Sequence, residues 1–166
     1  MVGDNSLCDI LRCLTCAELF LNCDFYYKHP LLVSIYDDNV DIFPTFDSLF
    51  SICVSNFSLE TNAHGSCLVK EDAKYNSRAK VWSSFISILA LSSVIKRSII
   101  TSYPDFGLVK YRLPFNQQIF PRDDDCGFSP FRILFCNMSK TPVTKDFLPN
   151  HFVPLICRKH CGKKHS

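Results

Sequence analysis

Apolar residues recur along the chain at two spacings, and the switch between them marks out the expected elements. From Val81 to Pro104 the sequence reads VWSSFISILALSSVIKRSIITSYP. Trp82, Phe85, Ile86, Leu89, Ala90 and Val94 stand three and four apart, which winds them onto one face of a buried helix over 81–95. Past Lys96-Arg97 the period drops to two. Ile99, Thr101 and Tyr103 alternate with Ile100 and Ser102 in a strand over 98–103, closed by Pro104, which has no N–H to donate. Helix, tight corner and strand form the central unit of a mixed α/β domain in which the helix covers the sheet, with Trp82 expected in the core.

The flanking segments add elements around this unit. Ser6 and Asp9 resemble a capping box ahead of Leu7, Ile10, Leu11, Leu14, Ala17 and Leu21, so a helix is expected over Leu7–Cys23 with those residues on its buried face. Phe25-Tyr26-Tyr27 is an aromatic knob, and His29-Pro30 starts a new segment because a residue before proline leaves helical geometry. Leu31–Tyr36 reads as a short helix. Phe43, Phe46, Leu49, Phe50 and Cys53 give another amphipathic helix. The interval 56–78 lacks periodicity and reads as a loop. Downstream, Leu108–Leu113 reads as a short extended segment and Phe115–Arg122 as irregular. Asp123-Asp124-Asp125-Cys126-Gly127 is a solvated turn, because no distal glutamate completes a calcium loop. Phe131–Cys136 reads as a strand buried on both faces. His151–Ile156 is a last strand, held to an edge or a bulge by Pro154. The expected fold class is α/β (α+β), a small mixed central sheet flanked by helices.

Composition narrows this picture. A chain of 166 residues with 47% hydrophobic residues can bury the core of one domain. Net charge is +2, and the cations cluster only in the basic tail 157–166, at Arg158, Lys159, Lys163 and Lys164, so a nucleic-acid surface is not indicated. No apolar run is long enough to span a membrane. No charged and apolar leader pattern stands at the start, so a reducing intracellular compartment, cytoplasm or nucleus, is expected. Of the ten cysteines, Cys8, Cys53 and Cys136 flank apolar residues and read as small hydrophobes. Cys13 and Cys16 form a CxxC that could share zinc with Cys157 and Cys161, beside His160 and His165. The spacing matches no closed structural zinc site, and no metal or other cofactor is expected.

Four motifs carry a resemblance: GDNSL-x3-LR-x2-T-x2-EL-x5-FYY near the start, VW-x6-LA-x2-SVIKRSI-x3-YP in the middle, then FNQQIFPR, and the closing HFVPLI. In this order they resemble the ovarian-tumour (OTU) cysteine protease domain, in the divergent form found in vertnin and transposon-associated proteins. The resemblance implies a papain-type fold. OTU enzymes cleave ubiquitin isopeptide bonds with a cysteine at a helix N-terminus and a histidine on a late strand, which together lower the thiol pKa. His151 matches the family histidine. The position two residues on, where a polar group orients the imidazole, is Val153. Two registers compete for Gly3 to Cys8. One makes this stretch a decayed nucleophile loop with Cys8 as nucleophile. The other makes it the turn before a helix, with Leu11, Arg12, Thr15, Glu18, Leu19, Phe25 and Tyr26 all in place. The second register puts the nucleophile loop before Met1 and implies an N-terminally truncated, partial OTU-like domain over 1–156. Its uncovered flank is expected to self-associate.

Two functions follow from the resemblance. One is a catalytically inactive OTU-like module, either binding ubiquitin or another protein or surviving as a mobile-element remnant. The alternative is a ubiquitin-directed cysteine deubiquitinase using Cys8 and His151, which needs the thiol within about 3–4 Å of the imidazole. The helix pattern puts Cys8 beside a buried face occupied by Leu7, Ile10 and Leu11, away from any expected cleft. A lone histidine on an edge strand is also commonly just a hydrogen-bonding partner of the backbone.

Overall fold

The helix at the centre of the chain is more deeply buried than its sequence spacing implies. The computed structural model describes residues 6–37, 62–78, 84–105, 115–123, 127–136 and 151–155. In chain order these form α1 (Ser6–Leu21), α2 (Cys23–Tyr27), α3 (Pro30–Asp37), α4 (Asn62–Asn76), α5 (Phe85–Val94), β1 (Ile99–Ser102), β2 (Gln118–Ile119), β3 (Phe131–Cys136) and β4 (His151–Pro154). In α5, Phe85 through Ala90 and Ser92 are all buried, so the helix is enclosed on every side rather than along one stripe. Its serines are compatible with this because they find partners: Ser92 Oγ donates to Leu89 O at 2.7 Å.

The corner after α5 has a defined chemistry. Lys96 N donates to Ser93 O at 3.2 Å and Arg97 N to Ser92 O at 3.0 Å, the paired bonds of a Schellman cap, with Lys96 in the left-handed region at φ 49. A side chain there is strained, and glycine is not. Lys96→Gly is expected to raise stability by about 1 kcal/mol, read as an upward shift in the melting transition. A downward shift would mean that the Lys96 side chain contributes more than its backbone costs.

β1 is the hub of a mixed four-stranded sheet in the order β2-β1-β3-β4. It runs antiparallel to β2, with Ile99 opposite Ile119, and parallel to β3, with Thr101 opposite Ile133. β4 lies antiparallel to β3, with Phe152 opposite Phe135, and forms an edge, where Pro154 is tolerated. Ile99, Thr101 and Tyr103 turn inward as the alternation implies. Two expectations need correction. Phe115–Arg122 is not wholly irregular, since Gln118 and Ile119 pair with β1. β3 is not buried on both faces: Phe131 and Arg132 at its start are exposed, and only Phe135 is fully buried. Phe131 instead stacks under the Arg97 guanidinium, 4.1 Å from the ring centroid.

α4 occupies much of the interval that reads as a loop. Its buried positions are Gly65, Leu68, Val69, Asp72, Ala73 and Asn76, a regular three-and-four spacing. Half of that stripe is glycine, aspartate or asparagine, which hides the hydrophobic period. Gly65 is required by close approach, because a Cβ there would fall inside the Tyr27 ring. The Phe25-Tyr26-Tyr27 knob is helical, and Tyr26 is buried within it. His29 starts α3 as expected: its carbonyl accepts from Leu32 N and Val33 N, and its Nδ1 accepts from Leu31 N at 3.2 Å. Burial holds the imidazole below its usual pKa.

α1 has the expected extent but the opposite rotation. Thr15, Cys16 and Leu19 are buried, while Leu7, Ile10, Leu14 and Leu21 are exposed. The helix is apolar nearly all round, so periodicity could not choose the inward side. The expected helix at 43–53, the extended segment 108–113, Trp82 and the tail 157–166 lie outside the described residues.

Candidate functional site

α1, the end of α4, α5 and β4 meet around a cleft of ≈ 290 Å³. Its walls are Cys8, Leu11, Arg12, Thr15 and Cys16 from α1, Asn76 from α4, Ser87, Ile88 and Leu91 from α5, and Phe152 from β4. Cys8, read from the sequence as remote from any cleft, lines this one because α1 turns Leu7 and Ile10 outward instead. The thiol is exposed and free. Thr15 is the unusual member. Its Oγ1 is buried and is the side-chain oxygen without a hydrogen-bond partner among the described residues. Such a group carries a desolvation cost of about 1–3 kcal/mol unless something meets it.

A polar cluster stands behind the cleft. Asp72 is fully buried, and its Oδ2 accepts from Asn76 Nδ2 at 2.8 Å and from Ser84 Oγ at 2.7 Å. Ser84 is the N-cap residue of α5, but its hydroxyl serves Asp72 and lies 3.2 Å from Ser87 Oγ instead of capping the helix. Arg12 closes the same, C-terminal end of α4 by donating to Asn76 O at 3.4 Å and Arg78 O at 3.3 Å, a cation at a helix C-terminus. Sequence periodicity missed this group. The signal that could have found it is the four-residue step from Asp72 to Asn76, which puts both on one helical face.

A second cluster draws together distant segments. Glu18 Oε1 accepts from the Tyr26 hydroxyl at 2.8 Å and from Arg122 Nε at 2.9 Å. The Tyr26 hydroxyl also lies 2.9 Å from Ser93 Oγ, which in turn accepts from Arg122 N at 2.9 Å. Burial, together with Glu18, raises the Tyr26 pKa well above the usual phenol value, so the phenol remains a donor. The hydrogen bond to Glu18 likewise pushes the Arg122 pKa up. These four side chains form a clasp between α1, α2, α5 and the segment after β2.

A family model described as "Vertnin, OTU domain" matches residues 1–136. The chain belongs to this family. No curated protein and no solved structure matches it. In this vertnin OTU domain the residues that carry the resemblance have visible structural duties. Glu18, Tyr26, Ser93 and Arg122 are the clasp, and Arg12 caps α4. Asn116 Oδ1 accepts from Tyr103 N at 2.6 Å, joining the central motif to the one after it.

The sites expected from the sequence fall as follows. His151 opens β4 opposite Cys136, past the span that the family model matches, and the next residue, Phe152, lines the same cleft as Cys8. Val153 pairs with Leu134 and is half-buried; its side chain has no acceptor to orient an imidazole. Cys13 is exposed and Cys16 is buried, so the CxxC is divided between two sides of α1. Burial, then the neighbouring Cys13, raises the Cys16 thiol pKa above its ordinary value, which disfavours the thiolate that a metal needs. Cys157 and Cys161 lie outside the described residues, and among the described ones no three potential metal ligands gather.

Proposed function

We propose that this vertnin OTU domain is a catalytically inactive binding module and that the cleft between α1, α5 and β4 is its recognition surface. The observation that carries the reading is the use of the family-motif residues. Glu18, Tyr26, Ser93 and Arg122 hydrogen-bond to one another apart from the cleft and serve the scaffold, while Leu11, Arg12 and Thr15 of the same motifs line the cleft and bring to it no carboxylate, imidazole or thiol. Support comes also from Val153, which leaves His151 without the polar neighbour that fixes a general base. The apolar cleft with the Thr15 hydroxyl suits an apolar side chain carried next to a hydrogen-bonding group, as on the surface of ubiquitin or another protein.

One observation favours a second reading, a cysteine deubiquitinase. Cys8 and the neighbour of His151 share the cleft walls. A ubiquitin probe with a C-terminal electrophile separates the two. The chain is expected to remain unlabelled. Labelling that is lost in Cys8→Ala and in His151→Ala, yet kept in Cys13→Ala, would establish the peptidase and overturn the binding-module reading.

A further inference from the structure

The outward face of α1 has the wrong chemistry for a helix bathed in water. Leu7 is 61% exposed, Ile10 55%, Leu14 50% and Leu21 76%, and Ala17 between them is exposed as well. Their spacing is three, four, three, four, the seam of a helix that pairs with another helix. Phe20 at 40% and Phe25 at 41% extend the patch. Asp9 is the charged residue among the exposed positions of this helix, whereas a solvated helix turns a polar face outward.

We propose that this face packs against the same face of a second copy of the chain, with the two α1 helices antiparallel about Leu14. Area supports a second copy. The exposed side chains present roughly 650 Å² per copy, so a symmetric pair buries at most about 1,300 Å², which reaches the lower edge of the range of specific interfaces. Charge supports the antiparallel arrangement. Lys70 Nζ and Lys74 Nζ lie 5.7 Å and 5.9 Å from the Phe20 ring centroid, at one end of the patch, and since Lys74 is paired with Glu71 the net charge there is one positive, from Lys70. Antiparallel pairing about Leu14 brings Asp9 of the other copy level with Phe20 and these two ammonium groups. It also sets each helix N-terminus beside the other's C-terminus, so that the dipoles attract, while a parallel pair would oppose Asp9 to Asp9. The inference does not depend on whether the domain cleaves or binds anything at its cleft.

Sedimentation equilibrium on the full chain in reducing buffer tests it. Wild type is expected at twice the monomer mass of 19.0 kDa. Leu14→Asp buries a charge in the seam and is expected to weaken association by about a hundredfold or more. Leu21→Glu, at the most exposed position of the seam, repeats the test where the fold is least at risk. Phe128→Ser, at an exposed aromatic elsewhere, is expected to leave the dimer intact. Asp9→Lys is expected to weaken the dimer, and Lys70→Asp with Lys74→Asp in the same chain to restore it. A wild-type monomer at about 100 µM, a concentration that detects even weak pairing, would overturn the proposal. So would a dimer that survives both seam substitutions, or one indifferent to Asp9→Lys.

Discussion

Phe115→Ala is expected to destabilise the domain by about 3–5 kcal/mol, the range for emptying an aromatic site in a packed core. Phe115 is 1% exposed and sits where the helical layer meets the sheet. Its ring centroid is 4.7 Å from that of Phe135, 5.1 Å from Phe85 and 5.9 Å from Tyr103, so it touches α5, β3 and the end of β1 at once. Tilted aromatic contacts of this kind add to the area that each ring removes from water. Phe115→Leu keeps most of the volume and is expected to cost less than half as much. Urea unfolding midpoints, with slopes compared to check that the denatured state is unchanged, measure both. A loss below about 1 kcal/mol for the alanine variant would place Phe115 outside the core.

Glu18→Ala is expected to cost about 1.5–3 kcal/mol, the range for hydrogen bonds to a charged group, because Glu18 and Arg122 keep side-chain exposures of 17% and 29%. The loss is more than one salt bridge. Removing the carboxylate takes one acceptor from the Tyr26 hydroxyl, which keeps Ser93 Oγ, and one from the Arg122 guanidinium, which keeps Asp123 Oδ1 at 3.1 Å. Glu18→Gln retains an acceptor for Tyr26 and is expected to recover part of the difference. A double-mutant cycle with Tyr26→Phe should give a coupling of about 1 kcal/mol or more. Strict additivity would mean that the phenol and the carboxylate stabilise the fold independently.

The parts of this fold that were legible in the sequence are those where one period dominates. β1 and β4 announce themselves by alternation and by Pro154, and the α5 to β1 corner by the change of period at Lys96. Elsewhere the pattern was present but carried by the wrong residue types. The buried stripe of α4 includes Gly65, Asp72 and Asn76, chosen for close approach and hydrogen bonding, so a hydrophobicity scan passes over it. α1 presents the reverse problem: Leu11, Cys16 and Leu19 compete with Leu7, Ile10 and Leu14, and only tertiary packing decides which set faces inward. β2 is too short to leave any period. The candidate site was legible in part. His151 and Cys8 were marked out by resemblance, but the cleft beside Cys8 depends on the rotation of α1. Thr15 acquires its interest only because, among the described residues, nothing meets its buried hydroxyl. The clasp has no local signature, since Glu18, Tyr26, Ser93 and Arg122 come from separate stretches and meet only when the chain has folded.

Glu18 and Arg122 are 104 positions apart, which gives the clasp a meaning during synthesis. At the roughly 5–20 residues per second of a translating ribosome, α1 leaves the tunnel about five to twenty seconds before its partner arginine. Until α4 and α5 have followed it out, both sides of the helix are bare, the side destined for α5 and the side rich in leucine. Slow codons between Glu18 and Arg122 would lengthen that exposure without altering the finished protein.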